Sequence, residues 1–396
     1  MSLSGSPVPD ISAAQIPSSA GHRVPAIDVL RGLCIIAVVL HHINLRIVFK
    51  NSALGSLLSP AINRVLFWDG AYGVNVFFVI SGFLITTWSL KRWGAPVQID
   101  VWQFYRMRFA RIIPCLFALL AILSLLHLTH RYGFVINPQH ATLPRALLAA
   151  LTFHVNWLES ARGYLPASWD VLWSLSVEEM FYVFFPLVCR YTRNLTAFIA
   201  VLSCFVIIGP FARTVLTHNE LWQDYGYLSG MDGIALGCIA AVIACTINLR
   251  KIVFRLRTLL IVQLSGAALC ILIIAFRKTA WLLRLPQTGL NVTVLELGAA
   301  LMLVAIQLRF QSGMVRPLGV NAIFRWFGRN SYEVYLTHMF VVWPLMRIFY
   351  DLHQPINTAP VWFVAITVLA GGLGYLVAKL YSEPLNRRLR VLRAAT

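Results

Sequence analysis

Asp28-Val-Leu-Arg-Gly-Leu-Cys-Ile-Ile-Ala-Val-Val-Leu-His-His42 is an apolar run with an arginine near its start and an imidazole at its end. At about 100° and about 1.5 Å per residue, the eleven steps from Arg31 to His42 turn roughly 1100° and climb roughly 16 Å. The two side chains therefore share one helix stripe to within about 20°, with His41 about 80° away. Ionisable side chains on an apolar helix are costly in a bilayer and usually face a cavity, a partner or a substrate path. The stretch reads as a membrane span whose polar stripe is functional.

The rest of the chain repeats the apolar theme. Of 396 residues, 59% are hydrophobic and only 12% charged, and apolar runs of span length recur. This composition implies an all-α polytopic bundle of about ten transmembrane helices, a multi-pass protein of the cell (inner or plasma) membrane. Spans are expected at 27–48, 70–90, 110–128, 171–189, 196–215, 227–248, 258–276, 291–308, 332–350 and 361–381. Residues 1–25 are rich in Ser, Pro and Ala and lack the apolar core of a signal peptide, so they read as a disordered cytoplasmic tail. Residues 26–385 form the transmembrane domain, and 386–396 a basic cytoplasmic tail. The seven cysteines all fall in apolar segments without metal-ligand spacing, and read as small buried hydrophobes rather than a disulfide framework.

Lys and Arg outnumber Asp and Glu by 33 to 15, which in such a chain records orientation rather than nucleic-acid binding. The stretch 144–158 is ambiguous as a span, and the charges decide it. If it does not cross and the N-terminus is inside, 22 of the 33 basic residues lie on the cytoplasmic side; if it crosses, only 13 do. Both termini are therefore expected inside, and 129–170 becomes an extracytoplasmic loop anchored by Trp157, Tyr164 and Trp169.

Several residues in these spans have chemistry to offer. Arg106, Arg108 and Arg111 crowd the cytoplasmic mouth with Lys91 and Arg92; Arg108 and Arg111, one turn apart, can converge on one anion such as the phosphates of a nucleotide-bearing cofactor. The plainer reading is the positive-inside rule alone. Glu178 and Glu179 lie inside the fourth span. Counting from the helix ends, Glu178 is about 10 Å deep and His42 about 9 Å deep, so a carboxylate beside the imidazole could orient it as a general base. Gly73, Ser81 and Gly82 on the second span read as close helix packing. Asp232, Glu296, Glu333 and His338 are intramembrane and open to packing or capping roles, with Ser331 a cap and Tyr335 an anchor. No cluster calls for a metal.

Together these residues resemble the membrane-bound acyltransferase 3 family over about 26–390. Arg31 and His42 match its Arg, ten residues, His pattern. Gly73 to Phe83 match its second-helix signature; Phe104, Arg108, Arg111, Ile112 and Pro114 look like its arginine-rich motif; and Ser174, Leu175, Glu178, Phe181 and Tyr182 look like its Ser-Leu-x-x-Glu motif. Two departures stand out: Met107 precedes Arg108 where adjacent arginines are usual, and Gly230 stands where relatives often carry arginine. The hydrolase-like extracytoplasmic domain that some relatives fuse to the membrane part is not expected here.

The resemblance implies an integral membrane O-acyltransferase. It would take an acyl group, acetyl in the simplest case, from acyl-CoA as donor substrate and pass it to a glycan or glycoside hydroxyl outside. Arg108 and Arg111, with Arg106, would hold CoA phosphates, Arg31 would mark the donor path, His42 would act as base or transient acyl carrier, and Glu178 would charge-balance His42. The lipid bilayer and glycan-assembly proteins complete the expected partners. The competing classes are a transporter or flippase of a glycan precursor, which also keeps ionisable residues near the midplane, and an idle scaffold. Against a transporter, no repeated halves and no paired broken spans are visible.

Overall fold

The computed structural model describes residues 23–216, 218–247, 256–313 and 321–391. The expected N-terminal tail therefore falls almost wholly outside the described residues, as do positions 392–396 of the basic tail. No strand occurs among the described residues, and the principal helices are α1 Pro25–Asn44, α2 Tyr72–Trp93, α3 Val101–Leu128, α4 Leu143–Leu151, α5 Val155–Arg162, α6 Leu172–Tyr191, α7 Leu195–Ala212, α8 Tyr227–Thr246, α9 Leu256–Ile274, α10 Leu290–Gln311, α11 Ala322–Arg329, α12 Ser331–Thr337, α13 Met339–Asp351 and α14 Ala359–Val377. Nine helices among the described residues are long and apolar enough to cross a membrane. Their outer faces present Leu125, Ile207, Ile261, Leu264, Val361 and Val364 as exposed side chains. A helix apolar on both its packed and its open face belongs in lipid, so the molecule is an all-α polytopic membrane protein.

The span expected over 332–350 is present but interrupted: α12 ends at Thr337 and α13 begins at Met339. The interruption falls on His338, whose ring Nδ1 bonds the Tyr335 carbonyl at 2.7 Å. A side chain inserted into the carbonyl ladder of its own helix is a recognised cause of such breaks. The ambiguous stretch 144–158 contains α4 and the start of α5. At nine residues, α4 is about 13 Å long, too short for a hydrocarbon core of about 30 Å.

Two glycine contacts set the positions of the helices that carry polar groups. α2 and α8 cross where a Cβ on Gly82 would stand 1.9 Å from the Ile234 carbonyl oxygen and a Cβ on Gly237 2.0 Å from that of Val79. α1 meets α11 the same way, through Gly32 against Phe324 and Gly328 against Asp28. In lipid, where no hydrophobic force drives helices together, backbone approach of this kind supplies the packing. Gly73 and Gly82 therefore pack as expected; Ser81, beside Gly82, does not merely pack.

Candidate active site

Ser81 is pointed by the α2–α8 crossing toward α6. Its hydroxyl is hydrogen-bonded to the Glu178 carboxylate and to the Tyr182 hydroxyl, and the Tyr182 hydroxyl donates to Glu178 Oε1 at 2.7 Å. Glu178 and Tyr182 are one turn apart on α6, the spacing that stacks side chains on one helix face. The guanidinium of Arg108 lies over the Tyr182 ring, 4.0 Å from its centroid, so the ring's negative face and the nearby carboxylate both favour the cation. α3 delivers that arginine: Asp100 caps its N-terminus, accepting from the Gln103 N–H at 2.9 Å, and Arg108 and Arg111 follow on one side.

These groups line a cavity of about 610 Å³ enclosed by α1, α2, α3, α6 and α12. Six cations border it, Arg23, Arg31, Lys91, Arg92, Arg108 and Arg111, against three carboxylates, Asp28, Glu178 and Glu179. Arg31 is buried, and Asp28, one turn earlier, is itself held by Arg329 at 3.6 Å. The excess of positive charge in a partly enclosed space suits an elongated polyanion. Arg106 does not line the cavity, whereas Met107 does. Two helical steps from Arg108 turn about 200°, which carries Arg106 to the other side of α3. The place given to Arg106 from sequence is thus corrected: of the three arginines, Arg108 and Arg111 border the cavity and Arg106 does not.

His42 stands apart from this cluster. Its Nδ1 lies 2.8 Å from the Val38 carbonyl, and a carbonyl only accepts, so Nδ1 carries the proton and Nε2 keeps its lone pair. No hydrogen bond joins it to Glu178, which is bonded instead to Ser81 and Tyr182. The ring next to His42 is instead His338, with centroids 4.9 Å apart and planes at 68°. The expected pairing of His42 with Glu178 is therefore corrected. Equal depth along two helices fixes height, not lateral neighbours: α1 packs on α11, α2, α14, α12 and α13, while α6 packs on α8, α5, α3, α7 and, through Ser81, α2, which stands against both.

Tyr335 lies between the two centres. It borders the cavity, its hydroxyl meets Ser174 at 2.6 Å and the Val171 carbonyl at 3.1 Å, and its ring centroid is 6.0 Å from that of His338. Sequence reasoning missed Ser81 and the pairing of His338. The available signals were a serine one step from a packing glycine and a second histidine inside a span. Asp232 is a packing group: it is fully buried, with Arg213 donating to both carboxylate oxygens at 3.0 and 2.7 Å and Thr293 adding a third bond. Glu333 accepts from Ser382 at 2.7 Å, tying α12 to the end of the last span.

The chain matches the acyltransferase domain over residues 24–379. It is 24% identical over 366 residues to the O-acetyltransferase OatA of Staphylococcus aureus, in strain NCTC 8325 and in strain COL alike, an alignment covering 88% of this chain and 55% of those proteins. The chain thus spans about half the length of the curated relatives it matches. No solved structure matches it.

Proposed function

This chain belongs to the acyltransferase domain family, and from that premise we propose that it transfers an acyl group, acetyl in the simplest case, from acyl-CoA to a hydroxyl of a glycan or glycoside. The observation that carries the reading is the cavity bordered by six cations. Acyl-CoA is a long polyanion with a thioester at one end, and phosphate groups are well served by clustered guanidiniums. The basic end of the cavity is assigned to the cytoplasm, where the charge count puts these arginines and where acyl-CoA is found. The membrane is the cell's inner or plasma membrane.

In this reading Arg108 and Arg111 hold phosphates, with Arg31 farther along the donor path. Glu178, held by Ser81 and Tyr182, sets the position of Arg108 through the Tyr182 ring rather than serving His42. His42 keeps an unprotonated Nε2 and acts as general base. It takes the proton of the acceptor hydroxyl as that oxygen bonds to the acyl carbon; the carbon–sulfur bond breaks, and the proton passes to the sulfur of the departing CoA.

The test is purified protein in nanodiscs given labelled acetyl-CoA and a panel of soluble and lipid-linked glycosides. Acceptor-dependent release of free CoA thiol with label on the glycoside is the expected result. Movement of a glycan precursor across the membrane without consumption of acetyl-CoA would refute it and favour a transporter.

A further inference from the structure

Lys50, Arg64 and Arg277 border a second cavity, of about 280 Å³, together with Pro60, Asn63 and Trp68. All but Arg277, which follows α9, belong to the segment between α1 and α2. That segment joins the ends of α1 and α2 farthest from Arg31, Lys91 and Arg92, so this cavity and the first one lie at opposite ends of the two helices. The segment is held in a fixed shape: Asn44 Oδ1 accepts from the Phe49 N–H at 2.9 Å, Ser52 Oγ from the Gly55 N–H at 3.0 Å, and Asn63 Nδ2 donates to the Gly55 carbonyl at 2.8 Å. The cations are held too. Asp69 is buried and pairs with Arg64 and with Arg277, each at 3.5 Å, and Arg64 Nη2 donates to the Ala275 carbonyl at 3.2 Å. Lys50 has no ion pair among the described residues, so three cations face one carboxylate and the excess is positive.

The expected orientation puts this end outside, where the positive-inside bias works against Lys and Arg. Orientation therefore does not account for the cluster, and an anion does. Its surroundings say which kind. Leu57, Ile62, Leu66 and Trp68 on the same segment, and Phe276 and Trp281 on either side of Arg277, are exposed. Apolar and Trp side chains exposed on pieces too short to cross lie in the membrane interface, which sets the cavity at headgroup depth. We propose that this cavity binds the phosphate of a membrane lipid, with Lys50, Arg64 and Arg277 on the phosphate oxygens and the lipid chains against the exposed apolar side chains. Clustered guanidiniums suit phosphate in charge and in geometry. Two kinds of lipid carry this group: an anionic glycerophospholipid of the bilayer, and a polyprenyl phosphate of the kind that can carry a sugar. The segment rests on α1 next to His42, since a Cβ on Gly70 would stand 2.7 Å from that of His41.

The test is native mass spectrometry of the full chain in neutral detergent, titrated separately with phosphatidylglycerol, a polyprenyl phosphate and diacylglycerol, which lacks the phosphate. Wild type is expected to retain one phosphate-bearing lipid and to hold diacylglycerol at least tenfold more weakly; equal retention of diacylglycerol overturns the proposal and needs no variant to be seen. The double substitution Lys50→Gln with Arg277→Gln keeps the Arg64–Asp69 pair and should weaken the phosphate lipid at least tenfold. Arg131→Gln with Arg162→Gln removes the same charge from two exposed positions that do not border the cavity and should change it less than twofold. Thermal unfolding confirms that both double variants are folded, and equal losses in the two overturn the proposal. Displacement of the lipid by an equal concentration of inorganic phosphate also overturns it, since a soluble anion would then suffice. Competition between the two phosphate lipids identifies the source: preference for the polyprenyl phosphate supports a lipid-borne ligand beside α1, and preference for phosphatidylglycerol supports a bilayer lipid in the same cavity. No acetyl-CoA is present, so the outcome is independent of the acyl-transfer reading.

Discussion

Replacing Arg108 by alanine separates donor binding from chemistry, and the structure sets the size of the effect. The guanidinium lines the basic cavity and rests 4.0 Å from the Tyr182 ring centroid. A hydrogen bond to a charged group contributes about 1.5–3 kcal/mol. Drawing Arg108 off the ring to reach a phosphate gives up a cation–π contact of about 0.5–1 kcal/mol. The net loss on substitution is then about 1–2 kcal/mol, which at about 1.4 kcal/mol per decade raises KM for acetyl-CoA about 5- to 30-fold. Turnover at saturating donor should stay within about twofold, the signature of lost uniform binding. Arg106→Ala supplies the control on the same helix, because Arg106 does not border the cavity; its KM should not change measurably. Steady-state release of CoA thiol, with acetyl-CoA varied at fixed acceptor, measures both. Equal effects of the two substitutions would show that positive charge near the mouth matters and the cavity does not. A fall in kcat alone for Arg108→Ala would refute its assignment to the donor.

Two other substitutions test separate parts of the molecule. His42→Ala should abolish transfer while leaving membrane insertion and the thermal unfolding midpoint nearly unchanged, since the ring's one hydrogen bond is to its own helix; acetyl transfer at the wild-type rate would remove His42 from the mechanism. On α5, burial first and then the neighbouring Asp170 charge hold the Glu159 carboxyl well above its usual pKa. A carboxyl raised in the folded state supports the fold fully below its unfolded pKa, about 4.3, and that support is lost as pH rises through the folded value. Glu159→Gln, which can still accept from the Leu165 N–H, should therefore hold its unfolding midpoint as pH is raised while wild type declines, and parallel curves would count against this account.

Much of the architecture was legible because it follows from quantities a sequence contains. Apolar run length gave the spans, and the charge count left 144–158 out of the membrane, where α4 proves too short to cross. Periodicity put Arg108 and Arg111 together on one face of α3, and the same arithmetic, applied to Arg106, would have sent it to the other side. What periodicity lacks is lateral order. His42 and Glu178 were placed at one height, but which of the helices stands beside α1 depends on backbone contacts such as Gly32 on Phe324 and Gly328 on Asp28. These contacts seat α11 on α1 and bring α12, with His338, after it. Ser81 was hidden for a related reason: beside Gly82 it looks like one more small packing residue, and only the position of α6 shows that its hydroxyl meets a carboxylate.

The separation of the cavity from the two histidines makes Tyr335 the residue whose alteration tests whether they work together. Its hydroxyl joins α12 to α6 through Ser174 and to the Val171 carbonyl, its ring walls the cavity, and its carbonyl holds His338. Tyr335→Phe keeps the ring and the carbonyl and removes only the hydroxyl. Two neutral hydrogen bonds at about 1 kcal/mol each put the stability cost at about 1–2 kcal/mol. If the hydroxyl serves packing alone, kcat and KM should both survive at a temperature well below unfolding. If α12 must be held against α6 for a donor in the cavity to reach His42, kcat should fall about 5- to 30-fold, the same free energy read as misplacement of the transition state. KM for acetyl-CoA should stay steady, because none of the arginines that border the cavity is bonded to that hydroxyl. The joint reading predicts the second outcome, and unchanged kcat in a stably folded Tyr335→Phe would show that cavity and histidine pair do not act through α12.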